Sequence, residues 1–88
     1  MPGFVLQVRA RGDGDPAIRV GYTVTKKIGN AVVRNRMKRR FRALAREHLP
    51  MLGVAGADHV LIGRAGGIER DFSALSSELQ RALAKAAR

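Results

Sequence analysis

The sequence predicts a single α+β domain whose elements run strand, strand, helix, strand, helix. Three patterns carry that expectation. Residues 4–10 and 18–25 alternate apolar and polar side chains with the period of a strand. Apolar residues recur at helical spacing over residues 33–45 and 72–86. Residues 59–65 form a short, mostly apolar run, as a buried strand does. The 88 residues make one domain, residues 1–88. Its core is small, because a chain of this size buries only about 60–65% of the surface its unfolded form exposes.

In the first strand Phe4, Leu6 and Val8 share one side and Val5, Gln7 and Arg9 the other. Arg11-Gly-Asp-Gly-Asp-Pro16 is dense in turn formers and predicts a hairpin loop, with Asp13 and Asp15 as turn residues. The second strand sets Ile18, Val20, Tyr22 and Val24 against Arg19, Gly21, Thr23 and Thr25. Gly21 has no side chain, which leaves room for something to approach the sheet. Gly29-Asn30 breaks the strand, and Asn30 suits a helix N-cap because its side-chain oxygen can take a free N–H of the first turn. Val33, Met37, Phe41, Leu44 and Ala45 form the apolar stripe of that helix, which Pro50 is expected to end near His48 or Leu49. A glycine-containing connection over residues 51–57 leads to the third strand, and Gly66-Gly67 punctuates. Phe72, Leu75, Leu79, Leu83 and Ala86 line a second amphipathic helix, capped by Asp71 or Ser73.

Charge decides what such a domain can bind. Nine of the 17 Lys and Arg residues fall between Lys26 and Arg46 with no Asp or Glu among them, so one stretch carries nearly all of the formal net charge of +10. Like charges packed this densely repel one another and call for a polyanion. On a helix, Arg34, Lys38 and Arg42 make one basic row and Asn35, Arg39 and Arg46 the next, while Arg36 and Arg40 widen the belt. Lys26 and Lys27 reach the neighbourhood of the helix N-terminus, whose free N–H groups can receive a phosphate. Arginine predominates, and its planar fork fits phosphate oxygens in pairs, which favours RNA or DNA. Only four aromatic residues are present, too few for a platform of base-stacking rings, so binding must rest mainly on phosphates and shape.

Other classes fit less well. The absence of cysteine rules out disulfide stapling, and no apolar run is long enough for a signal-peptide core or a membrane span, so a soluble, cytoplasmic protein is expected. A protein nuclease would need metal-binding carboxylates or a general base beside its phosphate. The seven acidic residues are scattered, and His48 and His59 stand at element ends, where structural roles are expected. A DNA-reading helix-turn-helix would place a second helix just upstream, and none is predicted there. A membrane-surface helix would expose the stripe assigned here to the core. A ribosomal protein shares the size and charge.

Residues 19–42, RVGYTVTKKIGNAVVRNRMKRRFR, closely resemble the signature of the bacterial ribonuclease P protein subunit family. The resemblance centres on Arg34-Asn35-Arg36 preceded by Lys26-Lys27-x-Gly29-x-Ala31-Val32 and followed by Lys38-Arg39, all in register, and the order of elements fits nearly the whole chain. It implies a two-layer α/β sandwich like domain 2 of ribosomal protein S5, with a left-handed βαβ crossover against the general right-handed rule. It also implies a catalytic RNA partner that removes the 5′ leader from precursor tRNA, using magnesium ions that the RNA holds. No tightly bound cofactor and no obligate protein partner are expected of the protein itself. By this resemblance Lys26, Lys27, Arg34, Asn35, Arg36 and Arg39 would meet the catalytic RNA. Lys38 and Arg42 would face the leader across a cleft floored by the sheet, with Gln7 and, more weakly, Val5 as its neighbours. Arg40 and Arg46 would add basic surface, and no residue is assigned a catalytic role. Relatives usually begin with a basic segment and a short helix whose aromatics wall that cleft; this sequence reaches its first strand almost at once.

Overall fold

The computed structural model describes residues 3–86. Its elements are β1 (Phe4–Ala10), β2 (Arg19–Thr23), α1 (Ala31–Leu52), β3 (Ala57–Gly63), a 3-10 turn (Ala65–Gly67) and α2 (Phe72–Ala86). The strands form one sheet in the order β1-β3-β2. β3 runs antiparallel to β1 and parallel to β2, so that Leu61 stands opposite both Leu6 and Tyr22. The last strand in the chain is therefore the central one. It is apolar on both faces, through Leu61 and Ala57 on one and Val60 and Ile62 on the other, as a strand flanked on both sides should be.

This order corrects the hairpin expected at residues 11–16. β1 and β2 are separated by β3, about 10 Å apart, which no tight turn spans. The segment instead crosses the start of β3: the Arg11 N–H donates to the Gly56 carbonyl and the Gly56 N–H to the Pro16 carbonyl, each at 3.0 Å. Gly12 and Gly14, at φ of 71° and 76°, supply left-handed backbone that side chains resist. The Arg11 guanidinium ties the loop together through Asp13 at 3.0 Å, Asp58 at 3.2 Å and the carbonyls of Asp15 and Ala17. Asp13 and Asp15 do act as turn residues, each accepting a backbone N–H two residues on. The Asp15 N–H, with Arg11 beside it, holds the Asp13 carboxyl below the ordinary aspartate range.

Element ends shift in ways the packing explains. β2 is shorter than residues 18–25, since β3 supplies partners only from Asp58 to Ile62. β3 begins two residues before His59, because Ala57 and Asp58 continue the ladder opposite Ala10 and Arg9. α1 starts where its cap directs, with Asn30 Oδ1 accepting the Val33 N–H at 3.0 Å. It runs past the expected end at His48 or Leu49 and through Pro50 to Leu52. Proline in a last turn forfeits one N–H, while buried Leu49 and the Gly53 N–H, bonded to the Leu49 carbonyl at 2.8 Å, hold the turn in place. Asp71, not Ser73, caps α2 by accepting the Ala74 N–H at 3.1 Å.

Both helices cover the same face of the sheet. Met37, Phe41, Leu44, Ala45 and Leu49 of α1 and Leu75, Leu79 and Leu83 of α2 close over Phe4, Val24 and Leu61. Phe4 and Phe41 meet edge to face with ring centroids 5.7 Å apart. A side chain at Gly63 would come within 3.2 Å of both the Met37 sulfur and Val24, so glycine leaves room for these two core side chains. Phe72, expected in the stripe of α2, is 39% exposed; the buried line begins at Leu75.

Candidate nucleic-acid interface

α1 turns one line of side chains into the core and leaves cations on both flanks and on its back. Its 100° step per residue, read with the buried positions, assigns each one a side. Arg34, Lys38, Arg42 and Arg46 follow the flank next to β2. Asn35 lies between Arg42 and Arg46 at the outer margin of that flank, Arg39 sits on the exposed back, and Arg36 and Arg40 on the flank next to α2. Among the described residues, ion pairs involve Arg11, Arg19 and Arg70, and none involves a cation of α1. No acidic residue occupies the first turn of α1. The positive end of the helix dipole is thus left to an external anion. Lys26 and Lys27 are exposed in a turn closed by the Ile28 N–H on the Thr25 carbonyl, just before the cap, and they extend the belt over that end.

Two arginines differ from what the sequence pattern expects. Arg40, assigned to the outer basic surface, is half-buried and donates to the Gly67 carbonyl at 3.2 Å and to the Arg70 carbonyl. It pins the chain that links β3 to α2. Arg34 is also half-buried, and its Nε lies out of solvent with no hydrogen-bond partner. An unmet donor of that kind is uncommon in a folded protein.

On the flank next to β2, Arg42 and Arg46 stand over Tyr22. Burial pushes the Tyr22 hydroxyl above its ordinary range, and the two guanidiniums partly offset that effect. The sequence pattern placed Tyr22 on the apolar side of the second strand and assigned it no part in binding. The signal that could have found it is its place as the one tyrosine facing a helix whose near flank carries arginine at i and i+4.

The other face of the sheet is open. By the strand register it presents Val5, Gln7 and Arg9 from β1, Asp58, Val60 and Ile62 from β3, and Arg19, Gly21 and Thr23 from β2. Gln7, Arg9, Asp58 and Val60 border a shallow depression of about 540 Å³. Among the described residues no atom lies within 4 Å of where a side chain at Gly21 would begin, so none of them uses the gap expected there. The expected leader set is therefore divided. Gln7 and Val5 look out from the open face, whereas Lys38 and Arg42 belong to the helix layer behind it. The β2 edge separates the two groups, and a strand touching both must pass round that edge.

The histidines are built into the scaffold. His59, 1% exposed, accepts the Val54 N–H on Nε2 at 3.0 Å and bonds the Arg19 carbonyl through Nδ1 at 3.2 Å. His48 Nε2 lies 2.6 Å from the Ser76 hydroxyl and joins the two helices. Among the described residues no three His, Asp or Glu side chains gather as metal ligands would, and no helix is long and apolar enough to cross a membrane.

The family model described as Ribonuclease P matches residues 1–87. The ribonuclease P protein component of Erythrobacter litoralis is 63% identical over 86 residues, covering 97% of this chain and 69% of the relative. That of Gluconacetobacter diazotrophicus is 54% identical, covering 97% and 72%. Among solved structures, the ribonuclease P protein of Thermotoga maritima superposes with a TM-score of 0.79 at 29% identity, over 93% of this chain and 76% of that one. The Staphylococcus aureus protein gives 0.77 at 29% identity, over 94% and 73%.

Proposed function

Because the chain belongs to the ribonuclease P protein family, we propose that α1 docks it on the catalytic RNA and that the β2 edge guides the leader of precursor tRNA. The family's role is the protein component of a ribonucleoprotein endoribonuclease, working with an RNA subunit in 5′ processing of tRNA. The observation that carries the docking is the belt of cations on α1 with no carboxylate partner among the described residues. Lys26, Lys27, Arg34, Asn35, Arg36 and Arg39 converge at the helix N-terminus and along its back. There, fixed charges and a helix dipole with no acidic residue in its first turn can neutralise phosphates where RNA segments crowd together. Lys38 and Arg42 take the leader on the flank beside β2, and Gln7 and Val5 meet it beyond the strand edge.

The protein's contribution is then positional and electrostatic, and the hydrolysis belongs to magnesium ions held by the RNA. Neutralising the leader's phosphates favours precursor over mature tRNA, because only the precursor offers them. Reconstitution with a bacterial ribonuclease P RNA at low magnesium tests the reading. Wild type should stimulate precursor cleavage, Arg34→Ala should need more protein to do so, and Lys38→Ala should lose preference for leader-bearing substrate. Absence of stimulation by wild type would overturn the proposal. An equal loss for precursor and mature tRNA in Lys38→Ala would overturn the leader assignment alone.

A further inference from the structure

The groove between β2 and α1 has a composition that phosphate binding alone does not require. Its floor is apolar, made by Ile18, Val20 and Leu49, and two of these are exposed for their type, Ile18 at 36% and Val20 at 38%. Tyr22, Arg42 and Arg46 line it too, beside Ala45 and Pro50, with no acidic residue in the lining. We infer that this groove receives one unstacked nucleobase of RNA, stacked against Tyr22, with the adjoining phosphate held by Arg42 and Arg46.

The volume is about 420 Å³. That falls among small-ligand sites of roughly 300–1,000 Å³ and suits one monomer unit better than a folded element. The charge of the lining selects among apolar occupants. A second copy would bring another +10 chain against it. An uncharged peptide would desolvate both arginines without pairing them. A nucleotide satisfies both halves of the groove at once, since a ring with a π-face meets the tyrosine and an anion meets the arginines. The groove also opens at the β2 edge, where a strand passing from the helix flank to the open sheet face must turn. The inference rests on the RNA-binding reading above and adds a specific contact to it.

Tyr22 is the only tyrosine and the chain has no tryptophan, so a Tyr22→Trp variant carries a single indole in the lining of the groove. Short oligouridylate, followed by anisotropy of its own label, should bind this variant and quench the indole over the same concentrations. Inorganic tripolyphosphate should leave the indole unquenched. In the otherwise native protein, Tyr22→Leu keeps apolar volume but removes the ring and should weaken oligouridylate binding roughly tenfold. Arg46→Ala, at an exposed position, should weaken it several-fold with an unchanged melting temperature, which keeps the test decisive if either Tyr22 variant folds poorly. Binding by anisotropy without quenching, or with unchanged affinity in both Tyr22→Leu and Arg46→Ala, would overturn the pocket and leave the RNA-binding reading standing. Equal quenching by tripolyphosphate would reduce the groove to a phosphate site and overturn the base. Quenching on concentrating the protein alone, with dimers in sedimentation, would assign the groove to a second copy. No binding by anisotropy would bring down both readings.

Discussion

The two flanks of α1 carry the same residue type and put it to opposite uses. On the side next to α2, Arg40 is half-buried and its donors go to two backbone carbonyls, so its charge has become part of the scaffold. On the side next to β2, Arg42 and Arg46 are exposed beside Tyr22, and no acceptor meets them among the described residues. Only Phe41 separates Arg40 from Arg42 in sequence, yet a 200° turn of the helix sends them to different tasks. An arginine in a basic run is therefore not interchangeable with its neighbours, and the direction it faces decides whether its loss is felt in stability or in binding.

The largest effect expected from the contrast is the salt dependence of RNA binding. If the outward cations neutralise about six to ten phosphates, affinity should fall by ~10³–10⁵ between about 50 and 200 mM salt on a duplex basis, and somewhat less for single strands. A flat dependence in an anisotropy titration would mean that these residues are not used as the open flank suggests. Next comes the line of side chains from which both flanks hang. Phe41→Ala should cost about 3–5 kcal/mol in urea unfolding, since the ring is fully buried against Phe4 and its neighbours cannot fill the space. A loss below 1 kcal/mol, by the same calibration, would mean that α1 is not anchored there.

The contrast itself is sharpened by a matched pair. Arg40→Ala should lower stability by about 1–2 kcal/mol, because it strands the Gly67 and Arg70 carbonyls. Arg42→Ala should stay within about 0.5 kcal/mol of wild type. Equal melting temperatures for the two would erase the distinction between the flanks. On the back of the helix, Arg39→Ala relieves repulsion from Arg36 and Arg42 and should raise stability by about 0.2–0.5 kcal/mol while weakening RNA binding. The smallest effect belongs to a site away from both flanks. The Asp13 carboxyl is depressed in the folded state, so its contribution is present above the ordinary aspartate range and is lost as pH falls through its lowered value. Asp13→Asn should therefore flatten the acid limb of the stability curve slightly and leave RNA affinity unchanged.

Much of this was legible in the chain. Asn30 as cap, the stripe from Met37 to Ala45 and the leucines of α2 follow from spacing alone, because local periodicity fixes which side of an element is apolar. What spacing does not carry is which elements become neighbours. Alternation identified β1 and β2 as strands but suggested they pair, whereas the doubly apolar β3 takes the place between them. For the same reason the sequence could put Gln7 and Val5 on one side of a strand and Lys38 and Arg42 on one side of a helix without showing that a strand edge divides them. Arg40 looked like surface because its partners, residues 67 and 70, arrive from across the fold. Pro50 looked like a terminator because a local rule was weighed without Leu49 buried beside it.

The sheet also ends on both sides in strands with unpartnered backbone, β1 at one margin and β2 at the other. Such margins invite ribbon growth between molecules, and a dense coat of like charge is one way to keep copies apart. The cations beside β2 stand along one of these margins, where like charge opposes the approach of a second copy. Polyanions that cancel this coat without occupying the margin should turn a well-behaved solution cloudy, and light scattering during titration with a polyphosphate would reveal it.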